Sequence, residues 1–119
     1  MPNSFGAPEI SVQDVAAKVE AKEPFVWLDV RETNELTAAS IVDERVVNVP
    51  LSVLAEKRIN ALPDGAQSKD AEIVVFCHHG ARSAQVTAWL RGQGWTNAIN
   101  MDGGIERWAN AIDTSVGRY

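Results

Sequence analysis

A chain of 119 residues, 45% apolar and 23% charged, is long enough for one domain with a real hydrophobic core and has the make-up of a soluble globular protein. Its net charge of −5 argues against bulk attraction to nucleic acid or to an anionic membrane, while leaving room for a local anion site. The single cysteine, Cys77, excludes an intramolecular disulfide, so the expected fold needs no oxidising compartment. Met1-Pro2-Asn3-Ser4-Phe5-Gly6 has no basic stretch leading into an apolar one, and no apolar run is long enough to cross a bilayer, so a cytoplasmic location is expected.

Short apolar runs alternate with helical patterns along the chain, the mark of an α/β domain. Glu9-Ile10 predicts a brief first strand, and Ser11 with Asp14 three residues on predicts a helix cap. Val12, Val15, Ala16 and Val19 form the apolar stripe of the helix that follows. Pro24 resets the chain before Phe25 to Leu28, whose unbroken apolar character suits a strand covered on both faces. A short helix is expected over 34–39 and a strand over 46–49, closed by Pro50. Ser52 is expected to cap a helix reaching about Ala61, which Pro63-Asp64-Gly65 ends.

Ile73 to Phe76 is the best candidate for a central strand. The next helix is expected to open at Ser83, to pack through Val86, Trp89 and Leu90, and to stop at Gly92 or Gly94. A last strand over 97–100 leads into Gly103-Gly104 and a helix carrying Ile105, Trp108, Ala109 and Ile112. One domain over 1–119 is expected, with its core at about 9–113 and looser ends at 1–8 and 114–119.

The most informative stretch is Cys77-His78-His79-Gly80-Ala81-Arg82, set between the apolar run and the helix. A thiol at a strand-to-helix junction meets converging backbone N–H groups and the positive end of a helix dipole, which favour the nucleophilic thiolate. A cysteine behind a strand is usually a small buried hydrophobe. That role does not require a glycine three residues later, an arginine at the sixth loop position and a serine at the helix start. Gly80 permits a positive φ that turns amides inward, six residues suffice to wrap them around one anionic sulfur, and Arg82 offers a cation for an oxyanion or a carboxylate.

With Leu28-Asp29-Val30-Arg31-Glu32 upstream, Asn48-Val49-Pro50-Leu51 next, and Met101-Asp102-Gly103-Gly104-Ile105-Glu106-Arg107-Trp108 downstream, the chain resembles the single-domain rhodaneses, the sulfurtransferase family. The resemblance implies a three-layer α/β domain with a five-stranded, largely parallel sheet flanked by helices. It also implies transfer of sulfane sulfur from a donor such as thiosulfate, through a Cys77 persulfide, to an acceptor such as cyanide or a thiol, including a protein acceptor. No cofactor is implied. The alternatives are a non-catalytic interaction module of the same family and a phosphatase or arsenate reductase. The last two resemble members with a loop one residue longer, whereas here four residues separate Cys77 from Arg82.

Within the loop, His78, His79, Gly80, Ala81, Arg82 and Ser83 are expected to bind substrate and persulfide. For both histidines the competing role is solvent-facing filler. A metal at Cys77-His78-His79 is not expected, because no Cys or His elsewhere completes the ligand set. Asp29 and Arg31 fall at the carboxyl end of a strand, where α/β proteins place their sites. By resemblance Asp29 orients the loop through Arg82 and Arg31 supports the entrance; the competing role is a structural ion pair. Trp27, Trp89, Trp95 and Trp108 are read as packing. Residues 39–45 (Ala-Ser-Ile-Val-Asp-Glu-Arg) lack the Gly-His-Ile segment and second glycine of many family members.

Overall fold

A computed structural model describes residues 4–117. Strands β1 (Glu9–Ile10), β2 (Val26–Asp29), β3 (Val46–Asn48), β4 (Ile73–Phe76) and β5 (Ala98–Met101) form one sheet in the order β1-β5-β4-β2-β3, every pair parallel. Helices α1 (Val12–Glu20), α2 (Leu51–Lys57), α3 (Ala81–Gly92) and α4 (Gly104–Ala111) cover it. No helix among the described residues is long and apolar enough to cross a membrane.

Strand periodicity explains why β4 is apolar throughout. Val74 and Phe76 face one core with Val12, Val15, Trp27, Met101, Ile105 and Trp108; Ile73 and Val75 face the other with Leu28, Leu54, Val86, Leu90 and Ala98. All four β4 residues are fully buried, and each is worth about 1.5–3 kcal/mol of apolar burial. The two cores clamp the sheet between helix pairs and leave the carboxyl ends of β2, β4 and β5 side by side, the edge on which α/β folds place ligands.

Ser11 caps α1 as expected, accepting from Asp14 N at 3.0 Å. Several local expectations change. The helix expected over 34–39 is a 3-10 turn over Thr33–Thr37, closed by reciprocal bonds between Glu32 and Glu35. Ser52 does not cap α2: Pro50 stands at the cap, and the Ser52 hydroxyl donates to Glu32 Oε1 at 2.6 Å. That helix ends at Lys57, where Arg58 takes a φ of +55° and a 3-10 turn carries on to Ala61.

Ser83 does not open α3. Gly80, at a φ of +105°, is the cap, and a left-handed glycine does this without a side chain. Ser83 lies inside the first turn, fully buried. Ile112 falls just past α4 and is partly exposed. The loose tail expected after Thr114 is instead packed as far as Gly117: Val116 is buried, its carbonyl accepts from Ser40 N, and Gly117 bridges Ala39. Ala7 is buried as well, and Pro8 O accepts from Asn100 N. Residues 1–3 and 118–119 of the expected loose ends lie outside the described residues.

Candidate active site

Cys77 is the first residue after β4 and is 1% exposed, so its sulfur sits beneath the loop that joins β4 to α3. Three donors face Sγ: Gly80 N at 3.1 Å, Ser83 N at 3.4 Å and Ser83 Oγ at 3.3 Å. The loop turns its amides inward because its carbonyls are held from outside. Ile105 N donates to Cys77 O at 2.8 Å and Glu106 N to His78 O at 3.1 Å, so the N-terminus of α4 takes up the carbonyls at the start of the loop. This close approach needs Gly104, at φ +63°, since a Cβ there would run into the carbonyls of Cys77 and His78. The Gly103-Gly104 turn beside the loop is thereby explained.

Arg82 points to a carboxylate that the sequence reading did not name. Its Nη1 and Nη2 reach the two oxygens of Glu35 at 2.6 and 2.8 Å, a fork-to-fork pair at partly exposed side chains. Asp29 is therefore paired not with Arg82 but with Arg31. The two are bound to each other, Arg31 Nη2 to Asp29 Oδ2 at 2.7 Å and Nε to Oδ1 at 3.0 Å, both fully buried. Arg31 Nη1 also donates to Ala39 O at 2.7 Å. The structural ion pair is the arrangement found. Within residues 39–45, Ala39 and Ile41 are buried in the core and Arg45 pairs with Asp43 at 2.9 Å.

His78 is half-buried and His79 exposed, their rings 3.8 Å apart between centroids. Both face Glu106, His79 Nδ1 at 2.7 Å and His78 Nε2 at 3.9 Å from Oε2. Burial, and next the neighbouring His79, hold the His78 imidazole below the usual histidine range. Donor atoms of His78, His79 and Glu106 come within 4.8 Å of one another, a set that depends on a residue outside the loop. All three side chains are partly exposed. Ala81 is exposed at the start of α3, and with His79, Gly80, Glu9, Phe5 and Asp102 it lines a cleft of about 260 Å³ beside the loop.

Sequence reading also missed Asn100. This β5 residue is 0% exposed and accepts from Ser83 Oγ at 2.5 Å, while its Nδ2 donates to Glu9 Oε2 at 3.0 Å and Gly80 O at 3.2 Å. A polar residue in an otherwise apolar last strand was the available signal.

A buried thiol at the carboxyl end of a central parallel strand, faced by two backbone N–H groups and a hydroxyl, thus stands on a five-stranded α/β fold. The sequence matches the family described as Rhodanese-like domain over residues 11–111. The chain belongs to the rhodanese-like domain family. It is 30% identical over 101 residues to a sulfurtransferase of Allochromatium vinosum, covering 85% of this chain and 87% of that protein. Among solved structures, the human single-domain sulfurtransferase TSTD1 superposes with a TM-score of 0.72 at 26% identity, covering 89% of this chain and 98% of that one. A rhodanese-related protein of Thermoplasma volcanium superposes with a TM-score of 0.69 at 32% identity, covering 87% and 91%. Other relatives are longer. The chain spans 56% of the Bacillus subtilis protein YrkF, to which it is 36% identical over 111 residues, and 25% of an adenylyltransferase and sulfurtransferase, MOCS3-1, of Zea mays.

Proposed function

We propose that this rhodanese-like chain is a sulfurtransferase that carries sulfane sulfur on Cys77. The observation that carries the reading is the set of donors around Sγ: Gly80 N, Ser83 N and Ser83 Oγ all aim at one buried sulfur. Oriented amides that need no rearrangement stabilise an anion in a site shielded from water, and this chemistry needs no metal or cofactor.

In the first half-reaction the Cys77 thiolate attacks the outer sulfur of thiosulfate. The S–S bond of thiosulfate breaks, sulfite departs with the bonding pair, and Cys77–S–S⁻ remains. In the second, cyanide or a thiolate attacks the outer persulfide sulfur and leaves as thiocyanate or as a new persulfide, and the Cys77 thiolate is restored. Two half-reactions through a covalent intermediate imply ping-pong kinetics. Arg82 acts at the mouth, where an incoming anion competes with Glu35 for its guanidinium. His78 and His79 border that mouth, and Ala81 leaves it open. Asp29 and Arg31 act as scaffold. A protein thiol is an equally suitable acceptor. The six-residue loop and the buried sulfur favour sulfur over a tetrahedral phosphate.

Intact-protein mass spectrometry after incubation with thiosulfate tests the reading. The protein gains one sulfur atom, cyanide removes it, and Cys77→Ser gains none. If reduced, folded protein gains no sulfur from thiosulfate or from a small-molecule persulfide, the carrier role is wrong.

A further inference from the structure

Ser83 has one hydroxyl proton and two acceptors within reach. Its Oγ lies 2.5 Å from Asn100 Oδ1 and 3.3 Å from Cys77 Sγ. The far side of the amide settles its orientation. There it meets two acceptors, Glu9 Oε2 at 3.0 Å and Gly80 O at 3.2 Å, so Nδ2 faces them and Oδ1 faces Ser83. Cys77, Ser83 and Asn100 are 1%, 0% and 0% exposed, so water does not stand in for any partner. An amide buried in a parallel strand is costly unless its polar atoms are bonded, and here both hydrogens and the oxygen are engaged.

We propose that Asn100 is a positioning residue that decides where the Ser83 proton rests, making Ser83 a donor to Cys77 only while that sulfur is an anion. A thiol sulfur is a weak acceptor, and so is the inner sulfur of a persulfide. Against either, the amide oxygen holds the hydroxyl. A thiolate accepts a charge-assisted bond and draws the hydroxyl across. Only the O–H rotor turns; no covalent bond is made or broken and no electrons move. For catalysis the inference rests on the sulfurtransferase reading. As an acceptor lifts the outer sulfur, Cys77 leaves as a thiolate, and Ser83 swings to it at that moment. The same amide links β1, through Glu9, to the loop at Gly80.

The test is the pH profile of Cys77 alkylation by iodoacetamide, which this chain reports without interference because it has no other thiol. Ser83→Ala moves the midpoint up by about one pH unit, the size of a lost hydrogen bond to a charged group. Asn100→Leu leaves the hydroxyl with one acceptor and moves the midpoint down. The double variant matches Ser83→Ala. No shift for Asn100→Leu, or the same shift in both backgrounds, overturns the proposal, since the second result means that Asn100 acts through the Gly80 anchor alone. If circular dichroism shows Asn100→Leu unfolded, Asn100→Asp takes its place. Its stronger acceptor moves the midpoint up, and by more with Ser83 than with alanine; equal shifts overturn the proposal. Alkylation needs no sulfur transfer. A positive cycle in protein that never loads sulfur overturns the function and leaves this assignment, and the reverse pattern overturns the assignment alone.

Discussion

Arg31 with Asp29 and Arg82 with Glu35 are the same chemical pair in two environments. The first is sealed, its side chains 0% and 1% exposed; the second stands at the mouth of the Cys77 loop, at 33% and 19%. Burial turns the first pair wholly inward. Two desolvated charges persist only when each is fully bonded, and Arg31 reaches Asp29 from two nitrogens and Ala39 O from a third. Partial exposure leaves the second pair exchangeable, because water and incoming anions reach the guanidinium. The two are linked in series. The sealed pair pins the 3-10 turn that presents Glu35, and Glu35 in turn holds Arg82.

The comparison breaks most visibly at the sealed pair. Arg31→Met strands the Asp29 carboxylate in the core and lowers unfolding stability by about 3–5 kcal/mol in a urea titration. Removing both charges, Arg31→Met with Asp29→Leu, restores part of that loss, because no orphan charge is left. A double variant less stable than the single would mean that the pair stabilises the fold beyond satisfying itself.

At the mouth the balance is reversed, with a small effect on stability and a larger one on the substrate. Arg82→Ala costs about 0–1 kcal/mol of stability, as expected of a partly exposed pair. In a thiosulfate assay it raises KM by roughly tenfold or more, the loss of one charge-assisted bond to the donor anion. Glu35→Gln sharpens the point. The amide still accepts from Glu32 N in the turn, where the Glu35 carboxylate now does so at 2.8 Å, but it no longer competes for the guanidinium. KM for thiosulfate then falls a few-fold, roughly the worth of an exposed ion pair. A rise in KM comparable to that of Arg82→Ala would show that Glu35 positions Arg82 rather than competing with substrate.

Sequence reading reached what local chemistry dictates. β4 was legible because burial on both faces erases polar residues from a strand, and the α1 cap because Ser11 bonds three residues ahead. The thiol loop was legible because cysteine, glycine and arginine lie within six residues of one another. What stayed hidden depends on distant chain. Glu35 meets Arg82 across 47 positions and Asn100 meets Ser83 across 17, and no local pattern announces either. Ser83 as a helix cap was the reading that residue preference suggests. The fold instead put a left-handed glycine at that point and drew the serine inside to face sulfur. Asp29 and Arg31 sat where a site was expected, and the burial that turns them toward each other is a tertiary property.

The contrast between sealed and open groups recurs, at smaller scale, in the two histidines that share Glu106. His78, tucked partly inward, is held below the usual histidine range by burial first and by His79 next, with Glu106 opposing both. In the unfolded chain the same imidazole takes up its proton near the ordinary value of about 6.5. Between that pH and the lower folded-state value the unfolded chain binds more protons than the folded one. Stability is therefore full above about pH 6.5 and falls as the pH drops through this window. The drop is small, since the ring keeps some contact with water. His78→Gln flattens the slope of the urea midpoint against pH across that interval, whereas Glu106→Gln steepens it by removing the carboxylate that favours the imidazolium. If the parent slope runs the other way, with stability rising as the pH drops, and Glu106→Gln reverses it, the carboxylate governs His78 more strongly than burial does, and this histidine belongs with the open mouth rather than with the sealed interior.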